Sequence, residues 1–380
     1  MGKKESLVKR NYYLDLLDRN TASFRNGDGK NIALLGPRKC GKTSILKQHL
    51  ATTKDIVGVF IDLSKISLNP ENFSVEFIGN IIFNFLKKPL KDYKKLLSLD
   101  GILKTESELK SKNAFAILRS IENELQKIKP DQKFLVQNAF AFAEELGKEN
   151  SKKFLIALDN IENLLDLNNF SQIKDVLSLM DLKSENARYI SASSAIRELI
   201  AALKGFECYE IKNLERNETI ELAESIIGKD KACEEIWGLS KGHPFVTIII
   251  SKKYNEIKSV KKSFLVELLT KDNALYGYCG DSYDYYYNRA RGQTLLKAIL
   301  KIISNEELRL SDIAKRIYRS APVTKSILER LMDVDVIYKK DNKFYFTDDV
   351  LRLWVKLTSQ GYDFDDVPDD KILDEVMKEL

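Results

Sequence analysis

The stretch Asn31-Ile32-Ala33-Leu34-Leu35-Gly36-Pro37-Arg38-Lys39-Cys40-Gly41-Lys42-Thr43-Ser44-Ile45-Leu46-Lys47 decides the fold, because an apolar strand runs into Gly-x4-Gly-Lys-Thr and then into a helical pattern. This is the pattern of a phosphate-binding loop. Gly36 and Gly41 let the backbone bend so that successive N–H groups face a phosphate, and the following helix adds the positive end of its dipole. Lys42 is expected to neutralise phosphate charge and the Thr43 hydroxyl to sit on Mg²⁺. Pro37, Arg38, Lys39, Cys40 and Ser44 are the loop positions expected beside the nucleotide. The loop backbone itself is not expected to depend on the Lys42 ammonium.

The chain has 380 residues, 44% hydrophobic and 31% charged, enough for two or three cores of a globular protein. No apolar run approaches the ~20 residues of a membrane span, and Met1-Gly2-Lys3-Lys4-Glu5 leads into no signal-peptide core, so a cytoplasmic location without a membrane partner is expected. Cys40, Cys208, Cys233 and Cys279 lack paired spacing and His49 and His243 are the only histidines, which argues against zinc and disulfides. The formal net charge of +5 is spread over lysine-rich helices and names no partner by itself.

In chain order, Leu7 to Arg25 reads as a helix with apolar positions Tyr12, Tyr13, Leu16 and Leu17, closed by the turn Asn26-Gly27-Asp28-Gly29. Ile56 to Asp62 is a continuous apolar run of the kind buried in a parallel sheet. Ser74 to Gly147 turns helical, with the Lys87-Lys88 and Lys94-Lys95 pairs on its solvated face. Phe154-Leu155-Ile156-Ala157-Leu158-Asp159 is a second buried-strand run that ends in an acid, where ligands of parallel sheets gather. Asp159 is the expected Mg²⁺ residue, and Asp62 is its rival should the second strand lie beside the phosphate loop. Ala187 to Ser194 is a further strand ending in hydroxyls; Ser193 either reads a γ-phosphate or caps the helix that starts near Ala195. Arg197 either contacts a γ-phosphate or lies on a helix surface.

With Gly242-His243-Pro244-Phe245 between the helical segments Glu221 to Leu239 and Phe245 to Ile257, these motifs resemble the archaeal-type ATPases of the STAND branch of AAA-related P-loop NTPases. The resemblance spans nearly the whole chain. It implies ATP or ADP with Mg²⁺ as ligands and a helical lid whose Gly-x-Pro turn nears the nucleotide, which makes His243 and Pro244 site residues. The chain departs from the pattern where a glutamate usually polarises the attacking water, since Asn160 stands there and an amide accepts no proton at neutral pH. Either Glu162 substitutes as base, or hydrolysis is slow and the bound nucleotide acts as a switch. Asp159, Glu162 and Lys42 are thus the catalytic candidates.

Six tyrosines between Asp272 and Gln293 read as a connector helix packed on its neighbours. From Thr294 the order helix, helix (Asp312 to Tyr318), helix (Thr324 to Met332), then Val336-Ile337-Tyr338, a polar tip and Phe344-Tyr345-Phe346 reads as a winged helix-turn-helix. Ile327, Leu328 and Leu331 face its core and leave Thr324, Lys325, Ser326, Glu329 and Arg330 outside. Basic residues outnumber acidic ones from Arg291 to Lys343, and Lys325, Arg330, Lys339, Lys340 and Lys343 are the candidates for double-stranded DNA. The tail after Tyr362 is acidic and is expected to cap the domain.

The expected fold is therefore α/β: a three-layer P-loop parallel sheet of AAA/ASCE type with a helical lid and a C-terminal winged helix. The boundaries are 1–29 for the N-terminal helix, 30–212 for the ATPase domain with an insertion at about 74–150, 213–275 for the lid, 276–360 for connector and winged helix, and 361–380 for the tail. The expected function is an ATP-binding, slowly hydrolysing switch that binds DNA. The alternatives are a scaffold whose winged helix binds protein or that self-associates with nucleotide, and an origin-recognition-type initiator.

Overall fold

The computed structural model describes residues 10–180, 184–291 and 294–380; the start of the helix expected from Leu7, and Gln293 at the end of the tyrosine-rich stretch, lie outside them. Strands β1 (Asn31–Leu35), β2 (Val57–Asp62), β3 (Phe154–Asp159), β4 (Ala187–Ser193) and β5 (Phe206–Glu210) form one parallel sheet in the order β2-β3-β4-β1-β5. β4 thus separates β1 from β3, and β2 lies at the far edge. That order removes the arrangement in which Asp62 would stand beside the phosphate loop, and it leaves Asp159 on the strand paired with β4, with β4 alone between it and β1.

Every residue of β3 is buried, as its unbroken apolar run requires of a strand covered on both faces. Helices α1 (Asn11–Arg25) and α2 (Lys42–Thr52) supply one layer, where Leu17, Phe24 and Leu46 pack on Leu34, Leu155 and Ile190. Tyr12, expected on the apolar face of α1, is exposed, and the contact is made further along the helix. The other layer is α3 (Pro70–Phe85), the short helices α4 (Tyr93–Leu96), α5 (Leu99–Leu103) and α6 (Glu106–Leu109), then α7 (Lys112–Leu125) and α8 (Gln132–Asn150). Phe73, Phe77 and Phe140 meet there at ring-centroid distances of 5.3 to 5.7 Å and form the centre of the largest core on that face.

After β4 comes the short α9 (Ile196–Ala202), and after β5 the chain is helical. The single helix expected from Glu221 to Leu239 is two, α10 (Arg216–Ile227) and α11 (Ala232–Ser240), because Gly228 turns the backbone into the left-handed region at φ +81°. α12 (Pro244–Ile257), α13 (Val260–Leu269) and α14 (Ala274–Arg289) follow, then α15 (Thr294–Asn305), β6 (Leu308–Arg309), α16 (Leu310–Arg316), α17 (Ala321–Asp333), the antiparallel hairpin β7 (Ile337–Lys340) and β8 (Lys343–Phe346), and α18 (Asp349–Ser359). β6 pairs with β8, so the hairpin is the outer part of a three-stranded sheet. One continuous apolar core runs from Ala223 to Val376 through all of these helices.

α17 begins at Ala321 with Pro322 in its first turn, three residues earlier than the sequence suggests. The helix phase therefore differs from expectation at its start: Thr324 is buried rather than outward, its hydroxyl donating to the Ser320 carbonyl at 3.1 Å. The acidic tail is not loose. Its helix α19 (Asp370–Val376) buries Leu373 and Val376, while Lys262 meets Asp370 at 2.7 Å and Lys271 meets Asp365 at 2.9 Å. Exposed pairs of this kind contribute little, so apolar burial does most of the docking.

Candidate nucleotide site

The loop between β1 and α2 is anchored from three sides. Gly36 N–H donates to the Ser193 carbonyl at 3.1 Å, and a Cβ at Gly36 would lie 2.4 Å from the Ile211 carbonyl, so only glycine fits. Arg10 donates to the carbonyls of Cys40 at 3.3 Å and Lys212 at 2.9 Å, and His243 Nε2 donates to the Arg38 carbonyl at 2.9 Å. Lys39 and Gly41 are left-handed at φ 53° and 104°, the alternation that turns successive N–H groups into a concave anion cradle. Cys40 is buried within the loop, and Ser44 stands in the first turn of α2.

Lys42 Nζ donates to the carbonyls of Gly36 at 2.7 Å and Pro37 at 2.6 Å and to Ser194 Oγ at 3.2 Å. The expectation that the loop backbone is independent of this ammonium is corrected: it holds two loop carbonyls. Thr43 Oγ1 donates to Asp159 Oδ2 at 2.7 Å. Burial pushes the Asp159 carboxyl above its ordinary range, while the Thr43 hydrogen bond opposes that shift. A cleft of about 350 Å³ opens beside Lys39, Lys42, Thr43, Ser44, Asp159 and Asn160.

Mg²⁺ fits this pair of oxygen donors. The Thr43 hydroxyl and the Asp159 carboxylate are adjacent hard ligands, and Mg²⁺ takes one or two protein oxygens while phosphate and water complete its shell. Among the described residues no group of three or more His, Cys, Asp or Glu side chains forms a protein-only metal site. Asp62 has other engagements: it accepts from Ser64 Oγ at 2.6 Å and from Asn160 Nδ2 at 2.9 Å. Burial would raise its carboxyl, but those hydrogen bonds outweigh it and hold Asp62 below the usual range. Asp159→Asn is accordingly expected to abolish Mg²⁺-dependent ATP hydrolysis, with Asp62→Asn affecting it by less than about tenfold. Phosphate-release assays across a Mg²⁺ series check this, and a more damaging Asp62→Asn would overturn the assignment.

Asn160 is left-handed at φ 56°, and the 3-10 helix Ile161–Asn169 that follows turns Glu162 back toward the end of β4. There the buried Glu162 carboxylate accepts from Ser193 Oγ at 2.5 Å, from Ser194 N–H at 3.5 Å and from Tyr285 Oη at 2.8 Å. Glu162 thus reaches the polar strand end, yet it is Asn160 that lines the cleft. Ser193 Oγ also accepts from Ala195 N–H at 2.9 Å just ahead of α9, which fits the helix-start reading, and Ser193 does not line the cleft.

The turn ahead of α12 is built by Gly242, left-handed at φ 77°, where a Cβ would lie 2.0 Å from the Leu214 carbonyl. His243 follows in extended backbone and caps α12, and Pro244 opens that helix at its first turn. Burial lowers the His243 pKa and keeps the ring neutral, consistent with Nδ1 accepting from Val246 N–H and Nε2 donating to the loop. Pro244 does not line the cleft. Nor does Arg197, whose Nε is 3.6 Å from Asp335 on the C-terminal side.

Sequence reasoning did not place Tyr278, Phe245 and Tyr285 at the loop. The Arg38 guanidinium stands 4.5 Å from the centroid of the Tyr285 ring, and Lys39 Nζ stands 4.2 Å from that of Phe245. Tyr278 Oη donates to Asp348 at 2.8 Å and lies 3.3 Å from His243 Nε2. The available signal was spacing: Tyr278 and Tyr285 are seven residues apart, two turns of one helix face. Of the DNA candidates, Lys325, Lys339 and Lys340 are exposed and Lys343 is half-buried, whereas Arg330 turns inward toward Arg291.

The fold is shared with known structures. A Walker-type ATPase of Pyrococcus abyssi superposes with a TM-score of 0.61 at 17% identity, over 93% of this chain and 97% of that one. The ORC2 protein of Aeropyrum pernix, in its ADP form, gives a TM-score of 0.50 at 13% identity over 100% of this chain and 96% of that one. No protein-family model and no curated protein matches the sequence. The fold is that of the AAA-related P-loop ATPases. At these identities the likeness is one of fold.

Proposed function

We propose that this chain is an ATP-binding, slowly hydrolysing switch of the STAND kind, acting in the cytoplasm. Residues 30–212 are the ATPase module, 213–275 the lid, 276–360 the connector and winged helix, and 361–380 a capping tail. The observation that carries the reading is Tyr285, which touches the phosphate loop through Arg38 and the polar strand end through Glu162 at once. Burial first, and then the Glu162 charge, pushes the Tyr285 phenol up, so it stays protonated and donates. Nucleotide phosphates compete for Lys42 and the loop, and any shift of the loop or of Glu162 is transmitted to α14 and the unit beyond it. Lys42 and the loop N–H groups would bind the phosphates, and Thr43 with Asp159 would hold Mg²⁺, which supplies charge neutralisation of the transferring phosphoryl.

The test is amide hydrogen exchange with and without a non-hydrolysable ATP analogue and Mg²⁺. Exchange in residues 274–291 is expected to rise at least threefold with the analogue in the wild type and to stay unchanged in Lys42→Ala. Exchange unaffected by nucleotide in a protein that binds it would overturn the switch. Double-stranded DNA is the favoured partner because Lys325, Lys339 and Lys340 are exposed and the Tyr338 and Tyr345 rings stack beside them at 5.3 Å. Retention of duplex DNA that weakens steeply with salt supports DNA; salt-insensitive or absent retention leaves the protein scaffold.

A further inference from the structure

Arg197 and Arg330, which the sequence points toward a γ-phosphate and toward DNA, line one and the same cleft. Its volume is about 440 Å³, and Arg289 and Arg291 from the end of α14 complete it. α9 of the sheet unit forms one wall and α14 and α17 of the C-terminal core the others, so the cleft lies in the seam between the two. Glu198 and Asp333 are the carboxylates among the lining residues, leaving the guanidinium charge in excess.

That excess is poorly offset. Glu198 is taken up by Arg289, and Arg197 leans on Asp335 at 3.6 Å. Among the described residues Arg291 and Arg330 have no carboxylate at ion-pair distance, and Arg330 reaches only the Arg291 carbonyl at 3.4 Å. The Nε atoms of Arg289 and Arg330 are buried without a hydrogen-bond partner among the described residues. A buried guanidinium donor without an acceptor is destabilising, and guanidinium groups gathered in a concave site repel each other unless an anion joins them. The planar fork of arginine matches phosphate oxygens two at a time.

We propose that this seam cleft binds a compact phosphorylated ligand, of one or two phosphate groups, and thereby ties α9 to α14 and α17. The size and the three helical walls suit a small molecule, whereas a duplex would meet the exposed Lys325, Lys339 and Lys340 on a different surface. The site is separate from the phosphate loop, and its occupancy stabilises the closed contact of the two units irrespective of what the loop binds.

The experiment is calorimetric titration of the full chain with inorganic pyrophosphate in a Lys42→Ala background, which removes the principal phosphate contact of the loop. One site is expected, together with a rise in Tm as pyrophosphate is added. Arg291→Ala and Arg330→Ala should each weaken that site tenfold or more, and Lys340→Ala should leave it unchanged. Arg291 is exposed, so its variant tests the site even if Arg330→Ala fails to fold. Absence of pyrophosphate binding in Lys42→Ala, or full affinity in folded Arg291→Ala, overturns the proposal. Failure of the loop assignment would register elsewhere, as ATP affinity unaltered by Lys42→Ala.

Discussion

Lys42→Ala is expected to lower ATP affinity by a hundredfold or more while the chain still folds. An ammonium donating to phosphate oxygens makes charge-assisted bonds worth about 1.5–3 kcal/mol each, and every ~1.4 kcal/mol is tenfold in affinity. The substitution also frees the Gly36 and Pro37 carbonyls that Lys42 now holds, a local loss of about 1–3 kcal/mol. The loop keeps its shape because the Ser193 carbonyl, Arg10 and His243 each hold a different residue of it. Calorimetry with MgATP, on protein whose circular dichroism matches wild type, is the measurement. Unchanged affinity in such a protein would remove the phosphate-loop assignment.

What the sequence made legible depends on how local the physics is. The loop is dictated by two glycines, one in a left-handed conformation and one against the Ile211 carbonyl, and by a lysine and a threonine at fixed offsets; those constraints are written within a dozen residues. β3 and Asp159 were legible because a strand covered on both faces must be apolar throughout. Strand order is less local, because pairing β4 between β1 and β3 is a tertiary choice, and it is that choice which puts Asp159 rather than Asp62 beside Thr43. The fold class followed from the motifs, yet the start of α17 and the break at Gly228 were missed, since helical periodicity fixes where an apolar face lies better than where a helix begins or ends.

The side-chain network at the site was least legible. Nothing near Arg38 in sequence announces Tyr285, and nothing near Glu162 announces it either; the contact exists only once α14 packs across the end of β4. The same holds for the seam arginines. Nothing in the sequence brings Arg197, Arg289, Arg291 and Arg330 together, and their convergence comes from three elements folding together. The contacts between the two halves are tertiary, so the loop motif points to nucleotide binding more directly than to the switch proposed above.

Asn160→Glu is expected to raise ATP turnover by about a hundredfold, and Glu162→Gln to change it by no more than a few-fold with ATP binding retained. Asn160 lines the cleft next to Thr43 and Asp159, but its amide accepts no proton at neutral pH. A carboxylate there would sit beside the ionised Asp62, and like charge raises its pKa toward neutrality, where a general base is effective. Against the gain stand the left-handed backbone, easier for Asn than for Glu, and the lost hydrogen bond to Asp62; together these cost about 1–2 kcal/mol of stability, a tolerable part of the ~5–15 kcal/mol of a typical domain. Glu162 is differently placed, its carboxylate saturated by Ser193, Ser194 and Tyr285 and set back from the cleft. Gln at 162 would face those donors with an amide group, and rotation of the Ser193 and Tyr285 hydroxyls to accept from it limits the damage. Steady-state turnover of the two variants separates the roles. A hundredfold fall in Glu162→Gln, with affinity for ATP intact, would make Glu162 the base, and the Tyr285 hydroxyl would then be what withholds it.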